Sequence, residues 1–332
     1  MNMKKLGLII LSILILTGCG GQEESQVIFD STYYRVASPF KRAVGNFSLS
    51  SFDREEVSSM LMQLSMEHFR TNNSLYQEGQ YLTTEELRDL LSTDKLNKVE
   101  DIEVDGIIIS PKFITAIYEQ NYLSLNGDLK GISLAIILNP RQSYRGGNNL
   151  LYKNISEEIV LQYGKDKATE LLEYMYSKEE LEDIQIMVAL FLENYRIKGS
   201  FKYSGITTNT DIEFENINYH YQFLDSRYVI NNDFANYNNF KAIRDAATEF
   251  INLHMVGYGL YKDDELVRVK LIVTTPFLNK PELLYLSNII SSNLNFTANV
   301  MIRGYIRNNN RTNALIISEA LTRDVKVYLL EE

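Results

Sequence analysis

The chain has 332 residues, 45% of them hydrophobic, enough for one large or two medium domains with cores of their own. Its 33 basic and 43 acidic residues give a formal charge of −10 with no basic run. That excludes nucleic acid as a partner, because phosphate binding needs clustered Lys and Arg. The single cysteine allows neither an internal disulfide nor a thiolate cage, and His68, His220 and His254 are widely separated. No metal and no cofactor are expected on those grounds.

Lys4 and Lys5 precede an uncharged run over residues 6–16 (LGLIILSILIL), the basic and apolar regions of an export signal. As a helix this run reaches roughly 16 Å, about half of a ~30 Å hydrocarbon core, which favours an export signal over a stable span. Leu16-Thr17-Gly18-Cys19 follows and matches the bacterial lipobox. Small residues there let the peptidase close around the scissile bond, and the thiol accepts a diacylglyceryl group. Cleavage between Gly18 and Cys19 makes residues 1–18 the signal peptide and Cys19 the lipidated N-terminus. Two acyl chains, palmitate among them, hold a protein durably where one holds marginally. Losing Lys4 and Lys5 leaves the mature chain more acidic still. An anionic membrane surface repels such a chain, so the lipid must hold it at the extracytoplasmic face of the cell membrane. Residues 19–32, with their small polar GGQEESQ stretch, read as a flexible tether.

Residues 33–225 read as a first unit. A helix near 52–69 has Asp53 and Glu56 as a capping pair and Val57, Met60, Leu61 and Leu64 at helical spacing. A strand near 75–82 leads into an insertion, which opens with a short helix capped by Thr83 and Glu86 and continues as an exposed loop over 92–105. Next come a strand at 132–138, a turn at YRGGNN, and a helix over 156–176 with Ile159, Val160, Tyr163, Leu171, Leu172 and Met175 on one stripe. Strands near 184–192, 200–204 and 219–224 close the unit. Residues 226–239, rich in Asn, Asp and Tyr, read as a linker.

Residues 240–332 read as a second unit, its first helix near 238–251. A strand at 254–261, a tight turn at Lys262-Asp263-Asp264-Glu265 and a strand at 267–274 follow. Asn279 and Glu282 then frame a capping box with Pro281 in the first turn. Strands at 298–306, 314–318 and 325–330 complete the unit. Gly79-Gln80-Tyr81 lines up with Gly259-Leu260-Tyr261, and residues 187–191 (MVALF) line up with 301–305 (MIRGY). The fold class is therefore α+β: two tandem repeats of a two-layer unit, helices packed on a mainly antiparallel sheet.

The paired carboxylates Glu157/Glu158, Glu179/Glu180 and Asp263/Asp264 fall at helix starts, loops and a turn, where acids suit the local geometry. No G-x-S-x-G elbow or triad spacing is present, so no catalytic residue and no enzyme activity are expected. Tyr81, Tyr258, Tyr261 and Tyr305 are candidates for a surface that binds a peptide or cell-envelope partner, since tyrosine joins a flat apolar face to a hydroxyl. An alternative is a solute- or peptide-binding lipoprotein of a transporter or envelope assembly. That reading needs two lobes with parallel βα repeats, and the hairpin-rich pattern argues against it.

Several strings combine with these features: Tyr33-Tyr34 followed by Pro39-Phe40-Lys41, YQEGQYL over 76–82, IMVALF over 186–191, and GLYKDD over 259–264. Together they resemble the CamS family of lipoproteins, the sex pheromone precursors of Firmicutes. Val44-Gly45 stands where the family pattern carries an Arg-Gly pair. The resemblance implies that the released signal peptide is trimmed to Leu11-Ser12-Ile13-Leu14-Ile15-Leu16-Thr17-Gly18, a short apolar pheromone that induces conjugation.

Overall fold

Two sheets carry the chain, and helices cover the outer face of each. The computed structural model describes residues 34–35, 51–69, 74–297, 299–309, 311–320 and 324–330. In the first half these are β1 (Tyr34–Arg35), α1 (Ser51–Ser65), β2 (Ser74–Glu78), α2 (Thr84–Leu90), β3 (Ile102–Val104), β4 (Ile107–Ile109), β5 (Ile114–Ser124) and β6 (Leu129–Leu138). Then come β7 (Arg141–Gly146), β8 (Asn149–Asn154), α3 (Glu157–Tyr176), β9 (Gln185–Leu192), β10 (Ser200–Thr207) and β11 (Glu215–Asn216). The second half holds β12 (Tyr219–Phe223), α4 (Arg227–Asn232), α5 (Phe234–Phe250), β13 (His254–Lys262) and β14 (Glu265–Thr274). It ends with α6 (Lys280–Ser292), β15 (Met301–Asn308), β16 (Arg311–Ser318) and β17 (Val325–Leu329).

Sheet 1 is seven-stranded, in the order β1-β2-β5-β6-β9-β10-β11, and sheet 2 is six-stranded, running from β12 to β17 in sequence order. The duplication lies in their centres. Hairpin β5–β6 leads through α3 to β9, which pairs parallel to β6, and β10 returns antiparallel. Hairpin β13–β14 leads through α6 to β15, parallel to β14, and β16 returns antiparallel. Strands β2 and β12 pair antiparallel with β5 and β13. Strand β9 is thus the counterpart of β15, as their shared pattern suggests. The alignment of Gly79-Gln80-Tyr81 with Gly259-Leu260-Tyr261 does not hold, because β2 ends at Glu78 while residues 259–261 lie inside β13.

Alternation sorts the side chains into three cores. On the outer face of sheet 1, Ile132, Leu134, Ile136 and Leu138 of β6 meet Val160, Ala168, Leu171 and Leu172 of α3. Ile159 is 53% exposed; the stripe runs through Val160 and Gly164 instead. On the outer face of sheet 2, Val269, Leu271 and Val273 meet Phe240, Ile243, Leu286 and Ile290 of α5 and α6. The third core joins Val57, Met60 and Leu61 of α1 to the inner face of sheet 1 and to Tyr219, Tyr221 and Leu260 of sheet 2.

Other expectations change at the level of single elements. Strand β5 lies inside the stretch read as an insertion, because Glu119, Gln120 and Asn121 interrupt its apolar pattern although all are buried. The loop expected over 92–105 holds buried Leu96 and Asn97, whose amide bonds both backbone groups of Ile114. Residues 226–239 form α4 and the start of α5, not a linker. Ser226 and Asp233 there are N-caps, accepting from the Val229 and Asn236 amides at 3.3 and 3.4 Å. Strand β12, placed by sequence in the first unit, pairs with the second.

Glu56 is not the helix cap the sequence suggested, because α1 begins at Ser51 and Glu56 is buried within it. Its carboxylate accepts from the Tyr221 hydroxyl and, at 2.9 Å, from Nη1 of Arg268; Arg268 Nη2 also reaches Gln63 at 3.1 Å. Lys198 Nζ, nearly inaccessible, lies 3.9 Å from the other carboxylate oxygen. Removing one partner of such a pair strands a buried charge. Arg268→Ala is therefore expected to lower unfolding free energy in urea by about 2–4 kcal/mol, and Glu56→Gln/Arg268→Met to recover most of it. A loss below about 0.5 kcal/mol, the level of an ordinary surface change, contradicts this.

Candidate functional site

The most distinctive string, YQEGQYL, leaves β2 and bends around one side chain. Glu119 of β5, only 3% exposed, accepts from the amides of Gln80 at 2.7 Å, Tyr81 at 3.0 Å and Leu82 at 2.8 Å. A Cβ at residue 79 would stand 2.7 Å from Glu119 Cβ, so only glycine lets the loop close on the carboxylate. Burial pushes the Glu119 carboxyl up, and the three N–H groups pull it part of the way back.

From Leu82 the chain turns directly into α2. Thr83 and Glu86 form the capping box read from the sequence, with Thr83 N donating to Glu86 Oε2 at 2.7 Å and Glu86 N donating to Thr83 Oγ1 at 3.2 Å. Glu86 does more than cap. Its other oxygen accepts from the Tyr174 hydroxyl at 2.6 Å and pairs with Lys178. Burial raises its pKa, but hydrogen bonds from Lys178, Tyr174 and Thr83 outweigh that and hold it down at about 2. Gln80, Tyr81, Thr83, Glu86, Lys178 and Glu180 line an open cleft of about 360 Å³. Within it Glu86 and Lys178 are paired with each other.

The four candidate tyrosines do not share a surface. Tyr81 borders this cleft, half-buried. Tyr258 and Tyr305 lie on the inner face of sheet 2, where the Tyr305 ring has Lys270 Nζ at 5.0 Å and the Arg307 guanidinium at 5.3 Å. Tyr261 is fully buried in the outer core, stacked on His220 at 5.4 Å and donating to Asp233 at 3.0 Å. It offers no surface. Residues three apart on a strand point to opposite faces, which separates Tyr258 from Tyr261 on the sequence alone. Glu119 was missed because a lone acid within an apolar run carries no sequence signal of what it binds.

Cys19, the Gly18–Cys19 bond and residues 11–18 lie outside the described residues. Among the described residues no helix is long and apolar enough to cross a membrane, and no group of His, Cys, Asp or Glu is placed to hold a metal.

A family model described as CamS sex pheromone cAM373 precursor matches residues 40–324. A sex pheromone precursor from Lactobacillus salivarius subsp. salivarius superposes with a TM-score of 0.74 at 20% identity, covering 84% of this chain and 88% of that one. The C-terminal domain of a sex pheromone staph-cAM373 precursor from Staphylococcus aureus gives 0.71 at 20% identity, covering 85% and 98%. No curated protein matches the sequence.

Gly79→Ala is expected to lower stability by about 1–3 kcal/mol through overpacking against Glu119, read as a fall in the urea midpoint. Glu119→Ala is expected to cost at least as much, since it strands the amides of residues 80–82. The Glu86 pKa lies below its ordinary 4.5, so its contribution is complete above that pH and lost as pH falls towards about 2. The stability gap between wild type and Glu86→Gln is therefore expected to shrink across this window. A gap independent of pH there contradicts the assignment.

Proposed function

The chain belongs to the CamS sex pheromone cAM373 precursor family, and on that premise we propose that it is a precursor with two products. Cleavage before Cys19 releases a signal peptide that is trimmed to Leu11–Gly18, a pheromone for conjugative transfer. The rest stays at the extracytoplasmic face of the membrane through a diacylglyceryl group on Cys19 and acts without catalysis. The observation that carries this reading is the lipobox, which places the only cysteine directly after the apolar run of a family member. The chemistry fits: the octapeptide has no charged side chain, is small enough to diffuse and is apolar enough to enter a receptor groove.

A second reading is favoured by the cleft beside Tyr81. A polar, open concavity on a lipid-held protein could take a peptide or envelope component, with Gln80 and Tyr81 as its contacts.

Synthetic Leu11–Gly18 is expected to induce plasmid transfer in cells carrying a responsive plasmid, and no induction at any dose removes the signalling role. Separately, Cys19→Ala is expected to shift the mature chain from the membrane to the soluble fraction, or to block its processing. A variant that stays as tightly bound and is cut at the same bond contradicts lipid anchoring.

A further inference from the structure

Strands β7 and β8 pair only with each other, forming a hairpin that belongs to neither large sheet. Their register puts Arg141, Arg145, Leu150 and Tyr152 on one face, opposite the face that carries buried Gln142 and half-buried Tyr144. Leu150 is 60% exposed and Tyr152 52%. The loop after β9 adds Tyr195, also 52% exposed. The Arg141 guanidinium lies 4.3 Å from the Tyr152 ring centroid and 4.4 Å from that of Tyr195, and Arg196 Nε donates to the Tyr195 hydroxyl at 2.9 Å.

The charge on this face is lopsided. Residues 141–154 contain no acid; Arg141 and Arg145 lie on this face and Lys153 on the opposite one, and the loop that carries Tyr195 and Arg196 adds one acid, Glu193, in a chain of net charge −10. Lys153 pairs with Asp105. Among the described residues, none of Arg141, Arg145 and Arg196 holds a carboxylate, whereas Arg244, Arg268 and Arg303 each hold one. The exposed Arg145 and Arg196, the half-buried Arg141, tyrosine rings and a leucine side by side are what an anionic bilayer surface rewards: phosphates meet the arginines, rings sit at headgroup depth and the aliphatic tip enters the acyl boundary. A soluble polyanion would meet the arginines and gain nothing from Leu150.

We propose that the β7–β8 hairpin together with Tyr195 and Arg196 is a docking surface for an anionic phospholipid membrane. It is a contact made by protein side chains, separate from any lipid on Cys19. Tyr34 enters sheet 1 in register with Tyr76, toward the opposite end of the strands from the Leu138 end that leads into the hairpin. A chain of fifteen residues, the number from 19 to 33, can reach at most about 50 Å at ~3.4 Å per residue, so its length permits an anchor and the hairpin to engage one bilayer. The hairpin then lays the body against a membrane that the net charge of the chain would otherwise hold off.

The test uses the mature chain from residue 19 with Cys19→Ala, which removes acylation and so separates this contact from the anchoring reading. Sedimentation with phosphatidylcholine vesicles, with and without phosphatidylglycerol, is expected to show binding only to the anionic set. Arg145→Glu and Leu150→Asp, both at exposed positions, are each expected to weaken it by about tenfold or more, with near-UV circular dichroism unchanged. Absence of binding, equal binding to neutral vesicles, or variants that bind like the parent overturns the proposal. Binding that soluble polyphosphate abolishes while Leu150→Asp leaves it intact assigns the arginines to a soluble polyanion and overturns it too.

Discussion

A carboxylate withdrawn from water has to be met by donors, and two such carboxylates organise this chain. Glu56 leaves α1 and is met by Tyr221 of β12 and Arg268 of β14, so the helix on sheet 1 is bonded to sheet 2. The packing around it is apolar and non-directional; Val57, Met60 and Leu61 would tolerate a range of orientations between the two units. The ion pair and its hydroxyl partner select one of them. Burying ions this way adds little net stability over a hydrophobic replacement, and its use is in fixing geometry.

Glu119 does the same work locally. Without it the amides of residues 80–82 would need other partners, and the turn from β2 into α2 would lose its pivot. The glycine in YQEGQYL follows from that approach distance, so the string has a folding reason before any binding role is considered. Tyr81 and Gln80 are then presented at the cleft as a consequence of how the carboxylate is satisfied.

Elements whose signals are local were legible. The capping boxes at Thr83/Glu86 and Asn279/Glu282 both exist, and the Asp263-Asp264 turn has both residues at positive φ, joining β13 to β14. Helices α3 and α6 and most strands lie within a few residues of their expected places. What sequence could not supply was partnership across distance. The polar triplet in β5 disguised a central strand, the Asn- and Asp-rich stretch disguised two capped helices, and Glu56 resembled a cap while serving a partner 212 positions away. Tyr81, singled out in the sequence, borders the cleft, whereas Glu119, which shapes the loop that carries it, has no local signal. The arginines of the β7–β8 hairpin look in sequence like an ordinary polar turn, and only the register aligns them with exposed rings.

Charge gives the same lesson at larger scale. The net value argues that the protein avoids anionic surfaces, yet its arginines are unevenly neutralised, and the hairpin face runs against the average. The central claim for the whole molecule remains that one cut produces two useful products. Mass spectrometry of medium and membrane fractions reads both at once. The account predicts a membrane-bound chain beginning at diacylglyceryl-Cys19 and a soluble peptide ending at Gly18. A membrane-bound chain that still begins at Met1, or one cut elsewhere with an unmodified cysteine, would contradict it.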